Sequence, residues 1–328
     1  MDERELVIIG GGPAGMAAAL SAREHGVRDV LLLERDHHLG GILNQCVHAG
    51  FGLVQFKEAL TGPEYASRFI QSVRGTPDIE VRLGCFVADL KPGKVFTCLS
   101  HGNVSTIRAR ALIMATGCRE RTREMIQIPG TRPAGVFSAG LAQKMINIEG
   151  LMPGRAVVVI GSGDIGLIVA RRLSLEGAHV KAVVEIQPHP VGLKRNVVQC
   201  LDDFAIPLYL SHRVLFIHGK DRVEAVDVAQ VDESGSEIAD TRFSLACDTV
   251  LVSVGLIPEN ELIEMAGVEV DRHTNEPVSS DLNYTSVHGL FVCGNAYRVY
   301  DIVDSVTRDS FLAGLQAADY LAECGGTE

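Results

Sequence analysis

The chain has 328 residues, 46% of them apolar and 22% charged, and a formal net charge of −11. That length leaves room for about two domains with real cores. The acidic balance argues against a nucleic-acid or anionic-membrane surface, since both need a basic patch. No apolar stretch reaches the roughly 18 to 20 residues of a membrane span. A strand beginning within a few residues of Met1 leaves no room for a signal peptide, so a cytoplasmic protein is expected.

In chain order, an apolar strand at 6–9 runs into Gly10, Gly12 and Gly15. An Ala-rich helix follows from about Met16 to His25, closed by Gly26. A fully apolar strand at 30–33, of the buried parallel type, ends at Glu34. Residues 36–76 read as mixed, with a helix near 63–73. Three strand-like runs follow at 79–88, 94–99 and 104–109, separated by Pro92-Gly93 and His101-Gly102-Asn103. A buried strand over 111–116 then ends in Gly117. The plan repeats. A strand at 156–160 runs into Gly161, Gly163 and Gly166, then a helix, then a strand ending at Glu185. Strand-like runs near 213–218, 222–231 and 241–246 predict a second three-stranded meander, and the apolar run 249–254 ends in Gly255. Each glycine of the second fingerprint, and Glu185, lies 151 positions after its counterpart. One GxGxxG is weak evidence; two in the same register, each after a strand and before a spaced carboxylate, are not a chance of composition. The last strand, near 289–295, and a helix over about 305–323 carry no fingerprint. Such a pair cannot bury its apolar face alone, so it is expected to pack back on the first domain.

The predicted fold class is therefore α/β, with two Rossmann-like dinucleotide-binding domains. Each carries a three-stranded β-meander, and one domain is inserted in the other. The expected boundaries are 1–120 with 247–328 for the first domain and 121–246 for the inserted one.

In such a unit the first glycine permits the tight turn, the second lets backbone approach the pyrophosphate, and the third lets helix and strand pack. The helix N-terminus offers unpaired N–H groups and partial positive charge to the phosphates. Glu34 and Glu185 would accept hydrogen bonds from adenosine ribose hydroxyls. A carboxylate at 185 repels a 2′-phosphate, so NAD(H) is favoured over NADP(H), with Lys194 and Arg195 nearby as an opposing influence. Two dinucleotides in one chain point to a flavin, a nicotinamide and hydride transfer. The eight cysteines show no CxxC and no metal-ligand spacing, so they are expected to be buried thiols. Cys46, beside His48, is the candidate redox thiol. The histidines show no metal-binding spacing, and no metal site is expected. Asp301 and Asp304, before the last helix, read equally as capping residues and as groups near a flavin.

With these residues in view, the chain resembles the pyridine nucleotide-disulfide oxidoreductase superfamily. The carriers are Val7-Ile8-Ile9-Gly10-Gly11-Gly12-Pro13-Ala14-Gly15, Ala115-Thr116-Gly117, the run 157–166 and the run 289–295. The length is similar to that of thioredoxin reductase, which lacks the C-terminal dimer domain of glutathione reductase. The resemblance implies FAD at the first fingerprint, held by Gly10, Gly12, Pro13, Ala14, Gly15, Glu34, Arg35, Gly41, Gln45, Val87, Ala115, Thr116, Gly117, Gly294 and Asn295. It implies nicotinamide nucleotide at the second, held by Gly161, Gly163, Asp164, Ile165, Gly166, Glu185 and Gly255. Two departures stand out. Asn295 occupies a place where the superfamily usually has Asp. The dithiol of thioredoxin reductase is missing from 135–143, and only Cys46 stands where glutathione-reductase types place a cysteine pair.

A narrower resemblance rests on Gly40-Gly41-Ile42-Leu43-Asn44-Gln45-Cys46, the run 135–143, Asn196-Val197-Val198-Gln199-Cys200-Leu201 and Cys293-Gly294-Asn295. These are similar to FAD-dependent proteins that accompany anaerobic-type glycerol-3-phosphate dehydrogenases, and to the alpha subunits of opine oxidase, hydroxyproline dehydrogenase and cyanide synthase. It implies a protein partner, either a dehydrogenase or an electron-transfer subunit, in a homo- or hetero-oligomer. The expected function is an FAD-dependent NAD(P)H oxidoreductase. Two alternatives stay open: a Cys46-dependent reductase of small disulfides or peroxides, and a nucleotide-binding structural subunit of a heteromeric enzyme.

Overall fold

The structure, a computed structural model, describes residues 1–279 and 281–325. It divides into two compact units, one formed by Met1–Arg119 with residues 257 onward and the other by Glu120–Leu256.

In the first unit the parallel order is Ile79–Arg82, Val30–Leu33, Asp2–Ile9 and Asn103–Met114, with Leu290–Val292 paired to the last of these. Val95–Ser100 and Cys85–Lys91 add antiparallel to the same sheet. Two predicted breaks move. The run 79–88 is two strands, because Gly84 turns at φ +62° and takes the chain out of the parallel edge into the meander. The runs 104–109 and 111–116 form one 12-residue strand, continuous through Arg110 because Asp2–Ile9 pairs with it on both sides of that residue, at Ala109 and Ala111. The helix Pro13–Glu24 starts with Pro at its first turn, where no N–H is needed. Its small face receives the final helix Val303–Gly325. A Cβ at Gly314 would lie 2.4 Å from the Ala18 carbonyl oxygen, so only glycine lets the two backbones come this close. The C-terminal strand and helix thus return to the first unit. The helix Gly62–Gly75 is closed by a capping box between Thr61 and Glu64.

In the second unit Val136–Ser138, Thr249–Val252, Ala156–Ile160, His179–Val184 and Leu208–Tyr209 form a parallel sheet. His212–Gly219, Val223–Gln230 and Phe243–Ala246 form the antiparallel meander. The expected return to the first domain at 247 is corrected to 257. Thr249–Val252 is fully buried between two strands of the inserted unit, which keeps it there.

The reading of all eight cysteines as thiols is corrected too. Cys85 and Cys98, on adjacent meander strands with Cα atoms 6.1 Å apart, are joined in a disulfide. Register places Val87 opposite Cys98 and Cys85 opposite Ser100, so the bond runs diagonally across the strand pair. Among the described residues, no helix is long and apolar enough to cross a membrane, and no group of three or more His, Cys, Asp or Glu could hold a metal ion.

Candidate functional site: two dinucleotide cradles

The first cradle is set by backbone. Gly10 N–H donates to Leu33 O at 2.8 Å, which aligns the end of the first strand with the strand carrying Glu34. Glu34, buried, accepts from Gly11 N–H through Oε2 at 2.7 Å and from Asp36 N–H through Oε1 at 2.8 Å. The carboxylate expected to meet a ribose is therefore already oriented by two main-chain donors, and its remaining lone pairs are what a ribose could use. The return loop is fixed by Gly40 N–H to Gly11 O at 2.9 Å.

The three glycines do different work. A Cβ at Gly10 would lie 2.3 Å from Ala115 O, and one at Gly15 would lie 1.8 Å from Gly10 O. Packing forbids any side chain at either. Gly12 is otherwise: its φ of −75° suits any residue, and a Cβ there would meet only the Gly41 Cα, at 3.9 Å. Neither conformation nor packing explains a glycine at 12. Gly12 also caps the helix with no side-chain acceptor for the first-turn N–H groups. Open space, unpaired donors and the helix dipole together fit a phosphate.

Other candidate positions gather around this point. A Cβ at Gly41 would lie 3.0 Å from Gly12 Cα, and one at Gly294 would lie 2.6 Å from Ala14 Cβ, so both turns lie against the start of the fingerprint helix. Thr116 Oγ1 donates to Glu259 O at 2.7 Å, while Gly117, at φ +76°, faces open space. The Asn295 side chain accepts from Tyr300 N–H at 3.1 Å and donates to Cys118 Sγ at 3.5 Å. Gln45 is buried and Arg35 exposed. Val87 points its side chain into an apolar cluster with Leu31 and Leu90, so a nucleotide there would meet its main chain. Cys46 donates its thiol to Ile42 O at 3.3 Å, and burial pushes the thiol up to about 12. That opposes thiolate chemistry at neutral pH.

The second cradle repeats the first. Gly161 N–H donates to Val184 O at 2.8 Å. Glu185 accepts from Ser162 N–H at 2.8 Å and from Gln187 N–H at 2.9 Å, matching the two donors to Glu34. A Cβ at Gly161 would lie 2.1 Å from Ser253 O, and one at Gly166 would lie 2.9 Å from Ser253 Cβ. Gly163, at φ −66°, has nothing within 4 Å of such a Cβ and no side-chain cap. Asp164 and Ile165 open the helix Asp164–Leu175. Gly255, at φ +103°, accepts from Arg121 N–H at 3.0 Å.

Sequence reasoning misses Ser162 and Asn196 in this cradle, and misses what the Asp164 side chain does. Ser162 Oγ donates to Glu185 at 2.7 Å and accepts from Val191 N–H at 2.9 Å. Asp164 Oδ1 accepts from Leu193 N–H at 2.8 Å and from Asn196 Nδ2 at 2.7 Å. Together Ser162, Asp164 and Asn196 tether the segment after the second strand. The one available signal was a hydroxyl inside the fingerprint.

The pyridine nucleotide-disulphide oxidoreductase family matches residues 4–308, and the chain belongs to it. That family is one of FAD-dependent pyridine nucleotide oxidoreductases. Among curated proteins, the hydrogen cyanide synthase subunit HcnB of Pseudomonas protegens is 29% identical over 283 residues, 80% of this chain and 59% of that protein. An opine oxidase subunit of Agrobacterium tumefaciens is 26% identical over 317 residues, 90% of this chain and 61% of that one. The chain therefore spans about three fifths of the length of these relatives, both of them subunits by name. Thioredoxin reductase of T. acidophilum shares the fold, with a TM-score of 0.75 at 24% identity over 100% of both chains.

Proposed function

We propose that the first unit holds FAD, the second NAD(H), and that the chain carries reducing equivalents between the nicotinamide nucleotide and a partner protein, a dehydrogenase or electron-transfer subunit. The observation that carries this reading is the pair of middle glycines, Gly12 and Gly163, which neither backbone angle nor packing requires. Bound FAD would supply hydride acceptance from a nicotinamide and onward electron transfer. The chain's own work is to bind and orient. Helix N-termini at Gly12 and Gly163 face the pyrophosphates, Glu34 and Glu185 take the adenosine riboses, and Gly294-Asn295 lies over the first cradle. Glu185 favours NAD(H) over NADP(H) by repelling a 2′-phosphate. The relatives that are subunits support a protein partner. The high thiol pKa of Cys46 counts against a thiol-dependent reductase, and the intact second cradle counts against a purely structural role.

The test is an anaerobic titration of the purified yellow protein with NADH and with NADPH, followed by absorbance. Bleaching of the flavin band by NADH at lower concentration than by NADPH is expected. A protein that takes up no flavin, or whose flavin neither nucleotide bleaches, refutes the proposal.

A further inference from the structure

The final helix carries a buried carboxylate that the binding scheme above does not use. Asp309 sits in the second turn of Val303–Gly325, 5% exposed, near the buried Cys293. Its Oδ2 accepts from Gly294 N–H at 2.7 Å, and its Oδ1 accepts from Asn283 Nδ2 at 2.9 Å. The Tyr300 hydroxyl is a third partner. No cation is hydrogen-bonded to it among the described residues, and burial raises its pKa above the usual carboxylate value. Such a group is costly to bury, so its donors are what make it tolerable.

All three donors belong to the segment that lies over the first cradle or to its supports. Gly294, at φ +61°, leaves no room for a Cβ against Ala14 of the fingerprint helix. Tyr300 ends the same turn, and its own N–H holds the Asn295 side chain. Asn283 spends its other Nδ2 bond on Val292 O, at 3.0 Å, in the strand leading into the turn, and its Oδ1 has no hydrogen-bond partner among the described residues. The entry, apex and exit of the 292–300 turn therefore converge on one carboxylate.

We infer that Asp309 is a positioning residue for the flavin: it fixes the Gly294-Asn295 turn over the first cradle through Gly294 N–H, Asn283 and Tyr300, without itself touching the cofactor. This deepens the reading of the first unit as the FAD site and rests on it. In that reading, Asn295 meets the cofactor with an uncharged amide, and the carboxylate stands one residue layer behind it.

The experiment compares full-length wild type, Asp309→Asn and, as a control on an exposed face of the same helix, Asp319→Asn. After flavin removal, each is titrated with FAD by fluorescence quenching. The visible circular dichroism of the reconstituted flavin is recorded, and the melting temperature is measured without FAD. Asn keeps the volume but sets an N–H₂ group against one of the three donors. FAD affinity is expected to fall about tenfold or more, with an altered flavin dichroism, while Asp319→Asn matches wild type. A merely structural role would lower the melting temperature and leave both the FAD Kd and the dichroism unchanged; that result overturns the inference. If Asp309→Asn does not fold, Tyr300→Phe removes one donor, and an FAD Kd and flavin dichroism both equal to wild type overturn it equally. Wild type that binds no FAD is a separate outcome, and removes the proposed function itself.

Discussion

Alanine at Gly12 and at Gly15 should separate what the ligand demands from what the fold demands. At Gly12 the backbone sits at φ −75° and ψ −173°, open to any residue, and the new methyl meets only Gly41 Cα at 3.9 Å. Alanine is a poorer N-cap than glycine by about 1 kcal/mol. Lost freedom in the unfolded chain returns about 0.4–1 kcal/mol, so the flavin-free stability should move by less than about 1 kcal/mol. The same methyl stands where a pyrophosphate must meet bare backbone. Losing one or two charge-assisted N–H contacts, each worth about 1.5–3 kcal/mol, weakens FAD binding about tenfold or more. Gly15→Ala behaves in the opposite way. Its methyl would fall 1.8 Å from Gly10 O, so helix and strand must part, at about 1–3 kcal/mol or more of stability even with no cofactor present. Urea unfolding of the deflavinated proteins measures the first quantity, and FAD titration by fluorescence quenching the second. A Gly12→Ala protein that binds FAD within about threefold of wild type, or that loses as much stability as Gly15→Ala, would refute the assignment of this space to a phosphate.

Ser162→Ala removes two hydrogen bonds around Glu185 and Val191; NADH should bind about tenfold more weakly in a direct titration, with FAD affinity unchanged. Glu185→Gln should shift the ratio of kcat/KM for NADH over NADPH about fivefold toward NADPH, the value of roughly 1 kcal/mol of like-charge repulsion removed, and an unmoved ratio would remove Glu185 from coenzyme choice. Because burial holds the Cys46 thiol near 12, its thiolate forms only as pH rises toward that value; flavin reduction by NADH should be unaltered in Cys46→Ser and should show no thiol-dependent limb from about pH 6 to 9. Cys98→Ser opens a cross-link between residues 13 apart and should cost up to about 3 kcal/mol in urea unfolding, with a thiol assay on denatured wild type finding six reactive groups.

The parts of this molecule visible in its sequence are those that chain neighbours determine. Each fingerprint joins strand, turn and helix within one short stretch, so periodicity and glycine spacing reveal it. The break at Gly84 was hidden because apolar residues lie on both sides; only the pairing of 79–82 with Val30–Leu33 and of 85–91 with the meander separates them. Arg110 falls between the runs 104–109 and 111–116, yet one unbroken strand passes through it. The run 249–254 showed its type but not its owner, since parallel partners come from distant segments. The cysteine disulfide was missed for a similar reason: a spacing of 13 says nothing until two strands are known to be adjacent. Asp309 and Ser162 were missed because their partners lie far along the chain. A lone acid on the apolar face of an amphipathic helix was the one trace Asp309 left.

The two cradles share a skeleton but are closed by different means, and the difference bears on which ligand each holds. In the first, the return loop is fastened by main chain. Gly40 N–H bonds to Gly11 O, and Gly41 abuts Gly12. Contacts between backbones cannot be loosened one at a time, because each is made by atoms that hold the fold. In the second, Gly192 N–H keeps the equivalent bond to Ser162 O and Ser211 N–H bonds to Gln187 O, but residues 191–196 of the exposed return segment are held further by side chains of Ser162, Asp164 and Asn196. Such bonds exchange with water at a net cost of about 1 kcal/mol each, so this loop can open without disturbing the sheet below it. A cofactor that stays bound through many turnovers suits the first kind of closure, and a coenzyme that must enter and leave in every cycle suits the second. The asymmetry thus supports FAD in the first unit and NAD(H) in the second on grounds independent of the fingerprints, which the two units have in common.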